Sequence, residues 1–265
     1  MNCLFIADIV GKPGRRVVAE MVPALRREFA VDVCVANCEN ASAGKGITVK
    51  VAQALFTYGI DILTSGNHVW DRKEILPFMQ NSSAILRPAN YPPGTIGSGS
   101  LIFHLGNGFP VGVLNLQGRV FMRELDCPFR VAVKHVEELH QVTRIVFVDF
   151  HAEATSEKMA MGWYLDGKVS AVIGTHTHVQ TADERILPGG TAYITDVGMT
   201  GPHDSIIGIQ TDVVLNRFLT QMPARFSPAD GNLKFCGVVI TVEAQTGKAL
   251  HIQRLMLDLQ NKEEE

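Results

Sequence analysis

The chain has 265 residues and is 46% hydrophobic, enough to bury one large core or at most two small ones. Charged residues make up 19% and the net charge is −3, so the overall balance gives no sign of nucleic-acid or membrane affinity. No segment approaches the roughly 20 uncharged apolar residues that span a bilayer, and the opening Met1–Asp8 has no basic region before its apolar run, so no signal peptide is expected.

Residues 2–7 read as a strand. Residues 14–29 read as an amphipathic helix with Val17, Val18, Met21, Val22 and Leu25 on one face. A strand over 31–37, a helix over 47–58 entered through Gly44-Lys45-Gly46, a strand over 60–65 and a helix near 71–80 follow. This alternation predicts βαβ units and a mostly parallel sheet. The Pro/Gly-rich segment 88–99 reads as a surface loop. The apolar runs 101–105 and 111–115 flank Gly106-Asn107-Gly108, a hairpin signal. A helix is expected over 129–141. Strands are expected over 144–150 and 169–174, with a helix between them starting near Thr155 and Ser156, residues suited to cap it. Residues 184–196 read as strand, turn at Pro188-Gly189-Gly190, strand. A helix over 212–221 and a hairpin over 233–257, turning at Gln245-Thr246-Gly247, complete the pattern. One domain is expected over residues 1–260, with 261–265 a polar C-terminal tail. A parallel half joined to hairpins predicts two packed sheets with helices outside.

The five cysteines are scattered and odd in number, without zinc-knuckle spacing. They suit reduced thiols and a cytoplasmic location.

The informative polar residues fall where the predicted strands end. They are Asp8, the run Asn37-Cys38-Glu39-Asn40, the run Gly66-Asn67-His68, then His151 with Glu153, then His176 and His178. The carboxyl ends of parallel strands line the crevice where α/β folds bind ligands. Taken singly, each has an ordinary explanation: Asp8 as a cap, Glu39 as the start of a loop, Asn67 as a turn residue, His151 as a buried histidine. His176 and His178 are two apart, and on an extended segment they would point the same way. Jointly, five strand ends bring carboxylate, amide and imidazole donors to one edge, which suits two divalent cations such as Fe, Mn, Zn or Co. Glu39, mid-list, is the natural bridge.

These blocks resemble the calcineurin-like metallophosphoesterase superfamily. Its YmdB-like branch is the closer match, through residues 4–11, 37–40, 66–70, 87–92, 149–158 and 195–202. Two departures from the wider superfamily, Val10 where many members have histidine and Glu39-Asn40 where many have a Gly-Asp block, are those of this branch. The resemblance implies an α/β fold, a four-layer α/β/β/α sandwich of two mixed sheets flanked by helices. It implies two metal ions per chain, iron with manganese as a substitute. Asp8, Glu39, Asn40 and His178 would hold one, and Glu39, Asn67, His151 and His176 the other. It also implies a phosphodiesterase acting on cyclic nucleotides of the 2′,3′-cyclic AMP type.

The expected reaction is in-line attack by a metal-activated hydroxide, with His68, adjacent to Asn67, protonating the leaving alkoxide. Glu153 reads either as a group orienting a ligand imidazole or as a solvated loop carboxylate. Asp196 and His203 are expected at the crevice rim. Arg87 and Asn90 on the long loop are expected to meet substrate or a second subunit. The expected partner is a small phosphorylated substrate, with RNA involved only indirectly, no membrane, and a homo-oligomer supported by apolar segments near 91–103 and 119–129. The competing reading is a regulatory protein that binds a ligand through the metals with little catalysis.

Overall fold

The computed structural model of the chain describes residues 1–82 and 84–260, so the polar tail at 261–265 lies outside the described residues. In chain order the first elements are β1 (Asn2–Ile6), β2 (Asp8–Ile9), α1 (Gly11–Glu28), β3 (Val33–Asn37), α2 (Val49–Thr57) and β4 (Ile62–Thr64). A 3-10 turn (Lys73–Ile75) leads into α3 (Leu76–Asn81), then β5 (Ser100–His104), β6 (Pro110–Gln117), α4 (Pro128–Leu139) and β7 (Val146–His151). The rest are α5 (Thr155–Leu165), β8 (Ala171–Thr175), β9 (Arg185–Ile186), β10 (Ala192–Ile194), β11 (Met199–Pro202), α6 (Thr211–Thr220), β12 (Leu233–Val242) and β13 (Ala249–Asp258).

The strands form two mixed sheets. One runs β2-β11-β12-β1-β3-β4, with β13 paired to β12; the other runs β5-β6-β7-β8-β10-β9. The strand period of two decides which residues face where. In β1, Leu4 and Ile6 pack outward with Val17, Val18 and Val22 of α1. Cys3 and Phe5 face inward, into a core that also holds Val35, Ile62, Val113, Phe147, Ile173 and Val238 from both sheets. In β7, Val148 and Phe150 face outward against Ala132 and Val136 of α4 and Met161 and Leu165 of α5. Helices therefore cover both outer faces, and the four layers are α/β/β/α.

At the carboxyl ends of the central strands this inward face turns polar. Asn37, Thr64, Asn115, Asp149 and Thr175 continue the inward positions of β3, β4, β6, β7 and β8 and are all buried. The site sits on top of them. Two short strands missed by the sequence pattern complete its floor: β2 pairs in parallel with β11, Met199 opposite Asp8. Strands of two and four residues carry too little periodicity to be read.

Candidate metal centre

Asp8, Glu39, Asn67, His151 and His176 come together on the strand ends. His151 Nε2 lies 2.9 Å from Glu39 Oε1, 3.1 Å from Asn67 Oδ1 and 2.9 Å from His176 Nδ1. Glu39, His151 and His176 offer donor atoms all within 4.8 Å of one another. On the other side, His178 Nε2 is 3.3 Å from Asn40 Oδ1 and 3.9 Å from Asp8 Oδ1. Asp8 Oδ1 also stands 3.9 Å from the His151 ring. All seven residues expected from the sequence as ligands thus line one cluster.

The side chains fit a cation. Asp8 is completely buried, and its Oδ1 has no hydrogen-bond partner among the described residues. An unpaired buried carboxylate oxygen is costly unless a positive charge meets it. Around His151 Nε2 stand a carboxylate oxygen of Glu39, the amide oxygen of Asn67 and a ring nitrogen of His176, donor atoms that suit a metal ion. Gly66 leaves the space open: a Cβ there would stand 2.3 Å from His151 Nε2 and 2.4 Å from Glu39 Oε2.

The neighbours fix which ring nitrogen faces the cluster. Thr175 Oγ1 donates to Asp149 Oδ1 (2.7 Å) and lies 2.9 Å from His151 Nδ1. Its single proton is committed to Asp149, so it accepts from Nδ1–H, and the Nε2 lone pair points inward. Asp149 is held in turn by Asn37 Nδ2 at 2.9 Å and by Thr64 Oγ1. His178 Nδ1 donates to the Ile207 carbonyl at 2.9 Å, which frees its Nε2 for the cluster. Glu153 Oε2 lies 3.1 Å from His176 Nε2, so His176 turns Nδ1 inward and Glu153 acts as the orienting carboxylate.

With protons as the only cations in the cluster, charges redistribute. Burial disfavours charge on His151, but the Glu39, Asp8 and Asp149 carboxylates outweigh it and push the imidazolium up to about 9. Burial works the other way on Glu39, yet the His151 charge holds it down to about 2. Burial and the His151 charge lower His176 to about 3. Asp8 is raised well above the usual carboxylate range, mainly by burial. A proton on His151 thus occupies the place that the donor atoms suit for a metal.

The His176–His178 segment is not extended. After β8 the chain turns, and His176 and His178 take φ of +103° and +64°, uncommon for residues other than glycine. Such strain persists when the surroundings over-determine it. Asp196 does so from beneath: its Oδ2 accepts from Thr177 N (3.1 Å), Thr177 Oγ1 (2.8 Å) and the buried Lys158 Nζ (2.6 Å). Asp196 is therefore a buried support rather than a rim residue. His203 also leaves the rim, its Nε2 lying 3.3 Å from the Met199 carbonyl and 3.7 Å from Cys236 Sγ. Arg87 spends its guanidinium on the carbonyls of Pro88, Thr95 and Ile96, and buried Asn90 joins Gln117 to Asp126, so both hold the loop together. Ala154, not Thr155 or Ser156, precedes α5 without a side-chain cap. Glu157 in that first turn instead accepts from the Arg119 and Val120 amides.

His68 lines the cleft above the cluster, a cavity of about 440 Å³ also bounded by Glu153, His176, His178, Ile209 and Phe226. Its backbone N–H donates to Glu39 Oε2 at 3.0 Å, and its Nδ1 lies 3.0 Å from Asp71 Oδ2. Asp71, three residues on, was legible only as the i+3 partner of a histidine.

Known proteins agree with this architecture. A 2′,3′-cyclic-nucleotide 2′-phosphodiesterase of Bacillus subtilis is 50% identical over 97% of each chain. A hypothetical protein of Thermus thermophilus superposes with a TM-score of 0.91 at 42% identity, over 97% of this chain and 99% of that one. A Mycoplasma pneumoniae structure described as a novel phosphatase gives 0.91 at 32% identity, over 97% and 93%. Residues 4–255 match the family described as YmdB-like protein, and the chain belongs to that family.

Proposed function

We propose that this chain is a binuclear metal-dependent phosphodiesterase that opens 2′,3′-cyclic nucleotides. The reading rests first on the convergence of Glu39, Asn67 and His176 on His151 Nε2 beside the unpartnered Asp8 Oδ1. The Bacillus subtilis relative supports the substrate class. Asp8, Glu39, Asn40 and His178 would hold one metal, and Glu39, Asn67, His151 and His176 the other. Oxygen and imidazole donors without thiolate suit iron or manganese. When bound, the ions supply Lewis-acid polarisation of the phosphoryl group and activation of water.

The chain's own residues supply the rest. His151 and His178 are locked in the tautomers that present Nε2, and Glu153 holds His176 so that Nδ1 faces inward. His68 stands on the cleft wall beside the cluster, its ring steadied by Asp71, and can deliver a proton to the leaving alkoxide. The reading is tested by loading the purified chain anaerobically with Fe²⁺ or Mn²⁺ and following 2′,3′-cyclic AMP. Cleavage of the 2′ ester bond to give the 3′-phosphate is expected. No turnover with either metal would overturn the proposal and favour the ligand-binding regulator.

A further inference from the structure

Next to the metal cleft lies a second cavity of about 400 Å³ whose charged lining residues are all basic: Lys45, Arg72, Arg217 and Arg225. The two cavities share Gly44, Lys45, Ile209 and Phe226, so they adjoin. Among the described residues, no carboxylate lines the basic cavity and none of the four cations forms an ion pair. Arg72 donates through Nε and Nη2 to the Lys45 and Ser42 carbonyls, which fixes its guanidinium in place. Arg217 lies 5.2 Å from the centroid of the Phe226 ring. On a chain of net charge −3, four cations around one hollow repel one another, and an anion seated there would relieve that repulsion.

We infer that this cavity is a subsite for a second phosphate of the substrate, which makes the preferred substrate a 2′,3′-cyclic nucleotide carrying a phosphate on its 5′ oxygen. The inference rests on the phosphodiesterase reading above. Arginine guanidinium groups recognise phosphate through paired N–H donors. Phe226, on the boundary between the two cavities, offers a ring face against which a nucleobase can stack. The second phosphate has two chemical sources, a terminal 5′-phosphate or the internucleotide phosphodiester at the end of an oligoribonucleotide.

The test compares kcat/KM of the metal-loaded chain on three substrates: adenosine 2′,3′-cyclic phosphate, its 5′-phosphorylated form, and the dinucleotide ApA ending in a 2′,3′-cyclic phosphate. At least one of the two substrates that carry a second phosphate is expected to be preferred by about tenfold or more, the worth of one hydrogen bond between charged groups. That ratio should fall toward one in the Arg217→Gln/Arg225→Gln double variant, whose exposed side chains can be changed without opening the core. Preference for the dinucleotide alone would assign the subsite to the internucleotide phosphate; preference for the 5′-phosphate alone would assign it to a terminal phosphate. Turnover of all three at equal efficiency, or a preference that the double variant leaves intact, would overturn the subsite while leaving the phosphodiesterase standing. No turnover of any of the three would overturn both.

Discussion

Asp149 does not reach the cluster, yet it decides how His151 presents itself. Its carboxylate takes the Thr175 proton, and Thr175 then accepts from His151 Nδ1, so a group two bonds removed fixes the tautomer. Asp71 stands to His68 in a similar relation, 3.0 Å from Nδ1, and leaves Nε2 for the cleft. His68→Asn is expected to keep both metals and to lower kcat by about 10²–10⁴-fold, the usual worth of a positioned proton donor; metal content measured beside steady-state rates checks it. Full activity in that variant would remove His68 from the mechanism. The ligand-type residues were legible because each stands at the end of an apolar run. Their supports were less so. Asn37, Thr64, Asp149 and Thr175 carry a signal only once strand faces are assigned, as polar residues in inward positions. Lys158 carried none, because its pairing with Asp196 joins residues 38 apart.

At the scale of elements, the site depends on how tightly turns approach one another. The β4–α3 connection passes so close to His151 that Gly66 has no room for a side chain, with Cβ falling 2.1 Å from His151 Cδ2. Gly66→Ala is therefore expected to displace Asn67 and His151 and to lose bound metal, while the apolar core keeps the variant folded by circular dichroism. Undiminished metal content would show that the cluster tolerates looser packing than the geometry suggests. The helices and longer strands were readable from periodicity, and their edges moved by a few residues; α1 begins at Gly11 rather than residue 14. The turn bearing His176 and His178 was not readable as it folds. An alternating histidine pair predicts an extended segment, but Asp196, reached only through the tertiary fold, holds Thr177 and forces positive φ on both sides.

For the molecule as a whole, the two-sheet sandwich buries a set of charges that only a cation balances. In the metal-free protein, His151 has a folded pKa of about 9 against an ordinary 6.5. The stability it contributes is present below about pH 6.5 and is lost as pH rises through about 9. Asp8, also raised, acts in the same direction. Metals bound at the cluster would replace those protons, so metal affinity should rise across the same window. Chelated protein is expected to show a falling Tm from pH 6.5 to 9, with the gain in Tm on adding Mn²⁺ growing over that range. A gain independent of pH would contradict proton–metal competition. Whether two cations flank Glu39 can be read from anomalous diffraction at the manganese edge, on crystals of the Mn²⁺-loaded protein. A binuclear centre would give two peaks, one among Asp8, Asn40 and His178 and one among Asn67, His151 and His176, with Glu39 within reach of both. A single peak, or none beside Glu39, would contradict it.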